Sequence, residues 1–420
     1  MVKTLHVYLN QKLAGLLIQN EGGHTEFSYA SSYLNDDQAI PLSHSLPLRQ
    51  ETFAPKECRG FFSGILPEET NRKIIAKNLG ITAQNDYSML REIGGECAGA
   101  ISFFLEKDEP KPLDYSYQHL NEQELVAIIN QLPQRPLLAG EENVRLSLAG
   151  AQTKLVVLVE GDKIAVPLKD APSTHILKPA SKHFDGLVYN EAICMQLADL
   201  CGLPTAQIEI RKAGDEEFLL IERYDRKAFI GEHPSNEFRF KERLHQEDFC
   251  QALGISSQNK YQKEGGPSLK DCFALVSETS RIPLIDRQRL LDAVIFNFLI
   301  GNNDAHGKNF SFTYDHDGNG INISLAPLYD LVCTRFYPAL DKRMAMKIGG
   351  EYLSTKISLV HFERFAEEVN LSKPQVKNRV IEMAQKILNV LPKVPLGHPV
   401  VVKVSRWIRD HCQDFLDSQG

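Results

Sequence analysis

GNNDAHGKNFSF, residues 301–312, is the stretch of sequence that decides the fold. It directly follows a helical pattern whose broad apolar face is formed by Leu290, Leu291, Val294, Ile295, Phe298 and Leu299. A buried helix that ends at Gly301 and continues into asparagine, aspartate, histidine and lysine is an unusual place for so many functional groups. We therefore predict that this segment carries the chemistry of the protein.

Asp304 and Asn309 have the D-x-x-x-x-N spacing of a phosphotransfer catalytic loop. An aspartate carboxylate can accept the proton of an attacking hydroxyl, and an asparagine carbonyl oxygen can bind Mg²⁺ without adding charge. A lysine between them, Lys308, can neutralise the phosphoryl group. A helix C-cap followed by an Asx-rich turn would give a similar sequence, so the spacing alone leaves a structural interpretation open.

A second acid, Asp330 in PLYDLV, favours the catalytic interpretation. The sequence predicts a strand, a turn at Asp315–Gly320 and another strand, with Asp330 at the end of that strand. Kinases present a second Mg²⁺ ligand in this way. The alternative is an edge-strand aspartate that caps the next turn.

Lys178 in THILKPA is predicted to emerge from a strand into an apolar setting. An ammonium group there needs an anionic partner, because an unpaired buried charge is costly. ATP phosphates would serve, and Glu191, early in the following helix, is a candidate resting partner. A lysine that snorkels from a sheet edge is the structural alternative.

Two further segments are candidates for nucleotide binding. RLSLAGAQTKL, residues 145–155, is a short loop of small residues ahead of a strand, where Gly150 would let backbone N–H groups approach a phosphate. IERYDR, residues 221–226, ends a strand whose backbone could read an adenine edge. The structural alternative for residues 145–155 is a tight turn between strands. For residues 221–226 it is a surface ladder of weak salt bridges.

The composition is that of an ordinary globular protein. Of 420 residues, 43% are hydrophobic and 24% charged, and the net charge is −7, so the surface as a whole does not favour polyanion binding. The eight cysteines form no C-x-x-C pair, which predicts reduced and mostly buried thiols. Without a signal sequence or a long apolar stretch, we expect a cytoplasmic protein.

The pattern of elements predicts an α+β fold with two lobes. We predict an N-terminal α/β subdomain at 1–106, the remainder of the N-lobe at 107–245, and a mostly α-helical C-lobe at 246–420. Leu187–Leu200 is predicted to be a helix, and Ser372 followed by Gln375 resembles a capping box.

Taken together and in this order, these motifs resemble the HipA family, the kinase toxins of bacterial toxin–antitoxin pairs. The segments that carry the resemblance are SLAGAQTK, THILKP, ERYDR, EDFCQALG, GNNDAHGKNFSF and LAPLYDL. The resemblance implies a distantly protein-kinase-like serine/threonine kinase that uses ATP and Mg²⁺. Because the second acid is not in a D-F-G sequence, the likeness to eukaryotic kinases is distant.

The resemblance also implies a role for each matching residue. Asp304 is expected to be the catalytic base, Asn309 and Asp330 the Mg²⁺ ligands, and Ser147 the autophosphorylated serine whose loop is then ejected. The residues expected to contact ATP are Ala149, Gly150, Ala151, Gln152, Thr153, Lys154, Lys178, Glu222, Arg223, Tyr224, His306, Gly307, Lys308, Asn309, Tyr329 and Asp330.

The implied partners are a small helix-turn-helix antitoxin dimer and a protein of translation, such as an aminoacyl-tRNA synthetase, as substrate. The segment 361–370 is acidic, which argues against direct contact with operator DNA, so DNA is expected only through the antitoxin, and no membrane is expected. Two other functions remain open: a catalytically silent antitoxin-binding co-repressor, and a metal-dependent hydrolase with Asp304, His306 and Asp330 as ligands.

Overall fold

The computed structural model describes residues 2–111, 114–228, 241–316, 320–395 and 397–418. It divides the chain into two compact units, each assembled from separate segments. The first unit comprises Met1–Pro179, Arg211–Gln258 and Thr313–Asn322, and the second comprises Ala180–Ile210, Asn259–Phe312 and Ile323–Gly420. These units combine segments that are distant in sequence, so they do not test the boundaries predicted at residues 106 and 245, which stay predictions.

Strands are concentrated in the first half of the chain. They are β1 Lys3–Leu9, β2 Lys12–Gln19, β3 Thr25–Tyr29, β4 Ile101–Phe104, β5 Ser116–Leu120, β6 Leu155–Glu160, β7 Lys163–Leu168, β8 His175–Pro179, β9 Ile208–Ala213, β10 Glu216–Glu222, β11 Arg226–Ala228, β12 Lys241–Arg243, β13 His245–Asp248, β14 Ser311–His316, β15 Ile321–Leu325, β16 Arg343–Ile348 and β17 Glu351–Leu353.

The longest helices lie in the second half. The helices are α1 Ser31–Leu34, α2 Pro55–Gly64, α3 Glu69–Leu79, α4 Asp86–Ile93, α5 Glu122–Gln131, α6 Leu187–Leu200, α7 Phe249–Ala252, α8 Leu269–Thr279, α9 Pro283–Leu299, α10 Leu359–Glu368, α11 Lys373–Val390 and α12 Pro399–Asp417. This mixture of helices and sheets confirms the α+β class.

The first unit contains a four-stranded sheet of order β3-β2-β1-β4 and most of a six-stranded sheet of order β5-β7-β6-β8-β10-β9. In the six-stranded sheet β8 lies antiparallel to both β6 and β10, with Lys178 opposite Leu219. Continuous apolar runs such as LVVLVE and FLLI make these strands, and they bury most of their apolar side chains. The central position of β8 is what holds Lys178 in a buried setting.

The second unit is mostly helical. Its core helix, α9, begins with Pro283 at its first turn, and its residues from Leu290 to Leu299 are all buried. The helix α6 coincides with the predicted Leu187–Leu200. The predicted capping box at Ser372 is wrong: α11 begins there, but the Ser372 side chain makes no capping hydrogen bond. A proline in the first turn supplies the start signal instead.

All eight cysteines lie in the described part of the chain, where they are buried and not disulfide-bonded, as the sequence predicted. Within that same part, no helix combines the length and the apolar character needed to span a lipid bilayer.

Candidate active site

The second unit positions the Asp304 loop at the end of α9. The chain leaves the helix through Gly301, whose φ is +72°. A Cβ atom at this position would lie 2.4 Å from the Trp407 ring and 3.0 Å from Cβ of Arg335. Both the backbone angle and the lack of space therefore require glycine, and the loop direction is fixed where it begins.

The loop folds back on itself around Asp304. The backbone N–H of Asp304 donates to Oδ1 of Asn302 at 3.2 Å, and the N–H of His306 donates to the Asp304 carbonyl at 2.8 Å. Nδ2 of Asn309 donates to the same carbonyl at 3.2 Å. This bond uses the amide nitrogen, so Oδ1 is the Asn309 atom suited to bind a cation. Asp304 itself is exposed, as a base that meets a substrate must be.

Asp330 is tied to the same loop through the backbone and through its neighbour Tyr329. Nδ2 of Asn302 donates to the Asp330 carbonyl at 3.4 Å. The Tyr329 hydroxyl donates to the Lys308 carbonyl at 2.7 Å and lies 2.7 Å from the hydroxyl of Ser311. The structure therefore brings the segment of Asp330 against the loop that carries Asp304 and Asn309.

Thr334 fastens the other end of the Asp330 segment to the start of the loop. Its hydroxyl donates to the Gly301 carbonyl at 3.1 Å and accepts the N–H of Asn303 at 2.8 Å. The N–H of Arg335 also donates to the Gly301 carbonyl, at 3.1 Å. Two stretches that are distant in sequence thus form one hydrogen-bonded assembly.

The predicted location of Asp330 at a strand end is wrong. β15 ends at Leu325, and Asp330 lies in the loop beyond it with φ at +58°. A left-handed conformation is uncommon for a non-glycine residue, costs of order 1 kcal/mol or more, and clusters at functional sites. Residues 317–319 of the predicted turn lie outside the described residues.

His306, Gly307 and Lys308 are buried in the same loop, and Gly307–Asn309 forms one 3₁₀ turn. The His306 ring meets the ring of Tyr261 edge-on, with centroids 5.3 Å apart. Asp304, His306, Lys308, Asn309, Tyr329 and Asp330 are therefore all found in one region of the second unit.

The first unit carries the predicted phosphate loop and Ser147. Ser147 is fully buried, with its hydroxyl donating to the Ile65 carbonyl at 3.0 Å and its N–H donating to the Glu96 carbonyl at 2.8 Å. A phosphate group could not be accommodated there, because up to two negative charges would be buried beside the Ile65 carbonyl oxygen. Ser147 must leave this position to be phosphorylated.

The loop after Ser147 is held from both sides. Nζ of Lys154 donates to the Ala149 carbonyl at 2.6 Å, and Nδ2 of Asn71 donates to the Ala151 carbonyl at 2.8 Å. Gly150 has φ at +106°, and a Cβ atom there would lie 2.6 Å from Nζ of Lys154. Gln152 and Thr153 are half-buried in the same loop.

Lys178 is buried on β8, with only 6% of its surface exposed. This agrees with the predicted strand and disfavours a lysine that snorkels into solvent. Glu191 lies on α6 of the second unit and is also buried.

The charged residues that follow the strand end at Glu222 are buried and do not form a surface ladder of salt bridges. Arg223 is buried and donates to both carboxylate oxygens of Asp225 and to Oε1 of Glu96 at 3.0 Å. Its backbone N–H donates to the Thr174 carbonyl at 3.0 Å. The side chain and the N–H of Arg223 are thus occupied by structural bonds, and a part in adenine binding stays a prediction for Glu222, Arg223 and Tyr224.

Glu96 is the centre of this buried ion network. Its carboxylate accepts bonds from Arg226 at 2.7 Å and Arg243 at 2.9 Å as well as from Arg223. Burial by itself would raise the pKa of Glu96, but the three guanidinium groups outweigh burial and lower it to about 2. The network fixes the end of β10 to the segment that binds the backbone of Ser147.

Sequence reasoning missed three residues that the structure places near these sites: Glu96, Tyr261 and Trp407. Glu96 stands in GGECAG without charged neighbours, and its three arginines come from distant segments. Tyr261 lies in a polar loop with no periodic pattern. Neither Glu96 nor Tyr261 carried a sequence signal that distinguishes it from an ordinary surface residue.

The donor set suits Mg²⁺ rather than a transition metal. Within the described residues, no group of three or more His, Cys, Asp and Glu side chains is arranged to hold a metal ion. Asn309 and Asp330 instead offer an amide and a carboxylate oxygen, which are hard ligands that leave room for water and phosphate oxygens. The residues present fit Mg·ATP in their chemistry.

Fold and site together define a kinase-like protein. A core helix is followed by a loop that carries an aspartate and an asparagine, and the segment of a second acid is hydrogen-bonded to that loop. Comparison with known proteins gives the family. The model of the HipA N-terminal domain matches residues 5–104, and that of the HipA-like C-terminal domain matches residues 146–391. The chain belongs to the HipA family.

Relatives match over nearly the whole chain. The protein Y4mE of Sinorhizobium fredii is 42% identical over 94% of this chain and 92% of its own length. The serine/threonine-protein kinase toxin HipA of Shewanella oneidensis is 30% identical over 94% of this chain and 90% of its own length. The solved complex of Shewanella oneidensis HipA with HipB and operator DNA matches with a TM-score of 0.83 and 28% identity, over 99% of this chain and 98% of that one.

Proposed function

We propose that this protein is a Mg·ATP-dependent serine/threonine protein kinase that acts as the toxin of a toxin–antitoxin pair. The observation that carries the proposal is the hydrogen-bonded assembly of the Asp304 loop with the Tyr329–Asp330 segment. It supports the proposal because the two bonded segments carry an exposed carboxylate, an amide oxygen and a second acid, which are the groups that phosphoryl transfer to a hydroxyl requires.

Each residue has a defined task in this reaction. When bound, Mg·ATP supplies the phosphoryl group for transfer. Asp304 accepts the proton of the acceptor hydroxyl, and Asn309 and Asp330 supply the oxygen ligands for the divalent ion. Lys178 and Lys308 provide positive charge toward phosphate oxygens, and the Ala149–Lys154 loop provides backbone N–H groups.

The regulation we propose is self-inactivation. Ser147 would be phosphorylated by the kinase itself, and the buried position of its hydroxyl requires that the loop stays out of place afterwards. The modified loop would no longer offer its backbone N–H groups to ATP.

The partners we propose follow from the relatives. Shewanella oneidensis HipA is found in a complex with HipB and operator DNA, so we propose a small helix-turn-helix antitoxin dimer as the partner and DNA contact through that dimer. The substrate would be a protein of translation, such as an aminoacyl-tRNA synthetase.

Incubation of the purified chain with γ-labelled ATP and Mg²⁺ tests the proposal. We expect label on Ser147 in the wild type and a loss of about 10³-fold or more in rate for Asp304→Asn, because the base is removed. Asp199→Asn, an exposed acid in the same unit, should leave the rate unchanged. If the wild type binds an antitoxin but transfers no phosphate, the silent co-repressor is the correct function.

A further inference from the structure

The carboxylate of Asp304 has a hydrogen-bond partner outside its own loop. The hydroxyl of Tyr261 donates to Oδ1 of Asp304 at 2.7 Å. The same tyrosine ring packs edge-on against His306, with 79° between the ring planes. Tyr261 is therefore in contact with two residues of the loop that we assign to catalysis, although none of the motifs discussed above includes it.

The segment that carries Tyr261 is folded to hold it in place. The Tyr261 carbonyl accepts the N–H groups of Glu264 and Gly266, both at 2.9 Å. Gly265 has φ at +94°, and a Cβ atom on Gly266 would lie 2.4 Å from the Asn259 carbonyl oxygen. The turn thus depends on two consecutive glycines and encloses the tyrosine backbone.

The same segment is fastened to a strand of its own unit. Oε1 of Gln262 accepts the backbone N–H of Lys347, on β16, at 2.8 Å. The bonded turn fixes the Tyr261 backbone and the contact with His306 restricts its ring, so the side chain loses little additional freedom when its hydroxyl engages a carboxylate. The phenol is therefore pre-organised to orient Asp304.

A carboxylate can serve as a base while it accepts a phenol bond. It has two oxygens with about four acceptor positions between them, so a bond at Oδ1 leaves Oδ2 to receive the proton of an acceptor hydroxyl. An exposed aspartate without such a bond would rotate among several rotamers, and only some of them point toward the reacting hydroxyl.

We propose that Tyr261 is a positioning residue for phosphoryl transfer, which holds the Asp304 carboxylate in its reactive orientation through the Tyr261 hydroxyl. This inference rests on the proposed function, since it needs Asp304 to be the base. In this proposal Tyr261 acts through Asp304, so we expect ATP to bind equally well with and without its hydroxyl.

Tyr261→Phe tests the inference, because it removes the hydroxyl and keeps the ring that packs on His306. The probe is Mg·γ-labelled ATP, and the measurement is the initial rate of phosphate incorporation into the chain over a range of ATP concentrations. We expect the maximal rate to fall about 10- to 100-fold. The ATP concentration at half-maximal rate and the melting temperature should not change. A merely structural role of the hydroxyl would instead lower the melting temperature.

Tyr352→Phe is the matched control, since Tyr352 is a half-buried tyrosine of the same unit on β17, and its maximal rate should equal that of the wild type. If Tyr261→Phe is as fast as the wild type, the inference is wrong while the kinase stands. A faster variant would show that the phenol blocks the base, and it would also overturn the inference. Absence of incorporation by every form of the protein would overturn both proposals.

Discussion

A single buried carboxylate, Glu96, organises much of the first unit. It accepts bonds from three guanidinium groups and from the backbone N–H and hydroxyl of Ser173. Its own backbone carbonyl binds the N–H of Ser147. One residue therefore connects the buried ion network to the backbone of the loop that we assign to ATP.

Replacement of Glu96 by glutamine should be strongly destabilising. It removes the carboxylate charge that three buried arginines contact. Breaking a buried pair in this way costs about 3–5 kcal/mol in the free energy of unfolding. Urea denaturation would measure the loss. Glu92→Gln is the control, because Glu92 pairs with Arg91 at the surface, where such pairs contribute about 0–1 kcal/mol. Equal stability of Glu96→Gln and the wild type would contradict this account.

The same carboxylate predicts a pH dependence. The pKa of Glu96 is about 2 in the folded protein and near 4.5 ordinarily, so below pH 4.5 the unfolded chain takes up a proton that the folded chain does not. The stability that Glu96 contributes is present above pH 4.5 and is lost as pH falls from about 4.5 toward 2. In denaturation midpoints measured across this window, Glu96→Gln should lack that part of the decline.

At the scale of elements, the C-terminal helix α12 supports the start of the Asp304 loop. Its Trp407 lies against Gly301, and its Phe415 and His411 pack edge-on against Phe298 of α9, with ring centroids 5.3 and 5.4 Å apart. This helix begins beyond residue 391, where the family match ends. It therefore contributes to the site without carrying a motif.

Gly301→Ala should perturb both stability and phosphate transfer. The new Cβ would clash with Trp407, and overpacking of this kind costs roughly 1–3 kcal/mol in addition to the strain of a positive φ. Gly202→Ala is the control: its φ is +73°, but the nearest atom to its Cβ is 3.5 Å away, so only the backbone strain remains. Trp407→Leu combined with Gly301→Ala should recover part of the loss. Equal costs for the two alanine variants would argue against the support by α12.

The Ser147 loop predicts a switch between two positions. Ser147→Asp would place an unpaired carboxylate in a fully buried site, so we expect the loop to leave, with faster amide hydrogen exchange over residues 146–154. Ser147→Ala removes only one hydrogen bond, costs about 1 kcal/mol, and should keep the loop in place. Unchanged exchange in Ser147→Asp would rule out the proposed ejection.

At the scale of the whole molecule, the sequence predicts the fold class and the family from motifs spread over most of the chain. Local patterns also place α6 and the end of α9 correctly, because apolar periodicity and glycine stops act over a few residues. Asp330 was predicted at a strand end and lies in a left-handed loop. Its position depends on the bond from Asn302 to its carbonyl and on the bonds of its neighbour Tyr329 to Lys308 and Ser311, which no local pattern encodes. The sequence did not indicate the roles of Glu96 and Tyr261 either, because both depend on bonds to residues that are distant in sequence.

The central claim is that Asp304, Asn309 and Asp330 form one Mg²⁺-dependent phosphotransfer site. The most direct test measures the rate of phosphate transfer from γ-labelled ATP as a function of Mg²⁺ concentration, for the wild type, Asp330→Asn and the control Asp199→Asn. The account predicts that Asp330→Asn needs at least about tenfold more Mg²⁺ for its half-maximal rate, because a charged ligand is lost, while the control overlays the wild type. Coincident Mg²⁺ curves for Asp330→Asn and the wild type would contradict it.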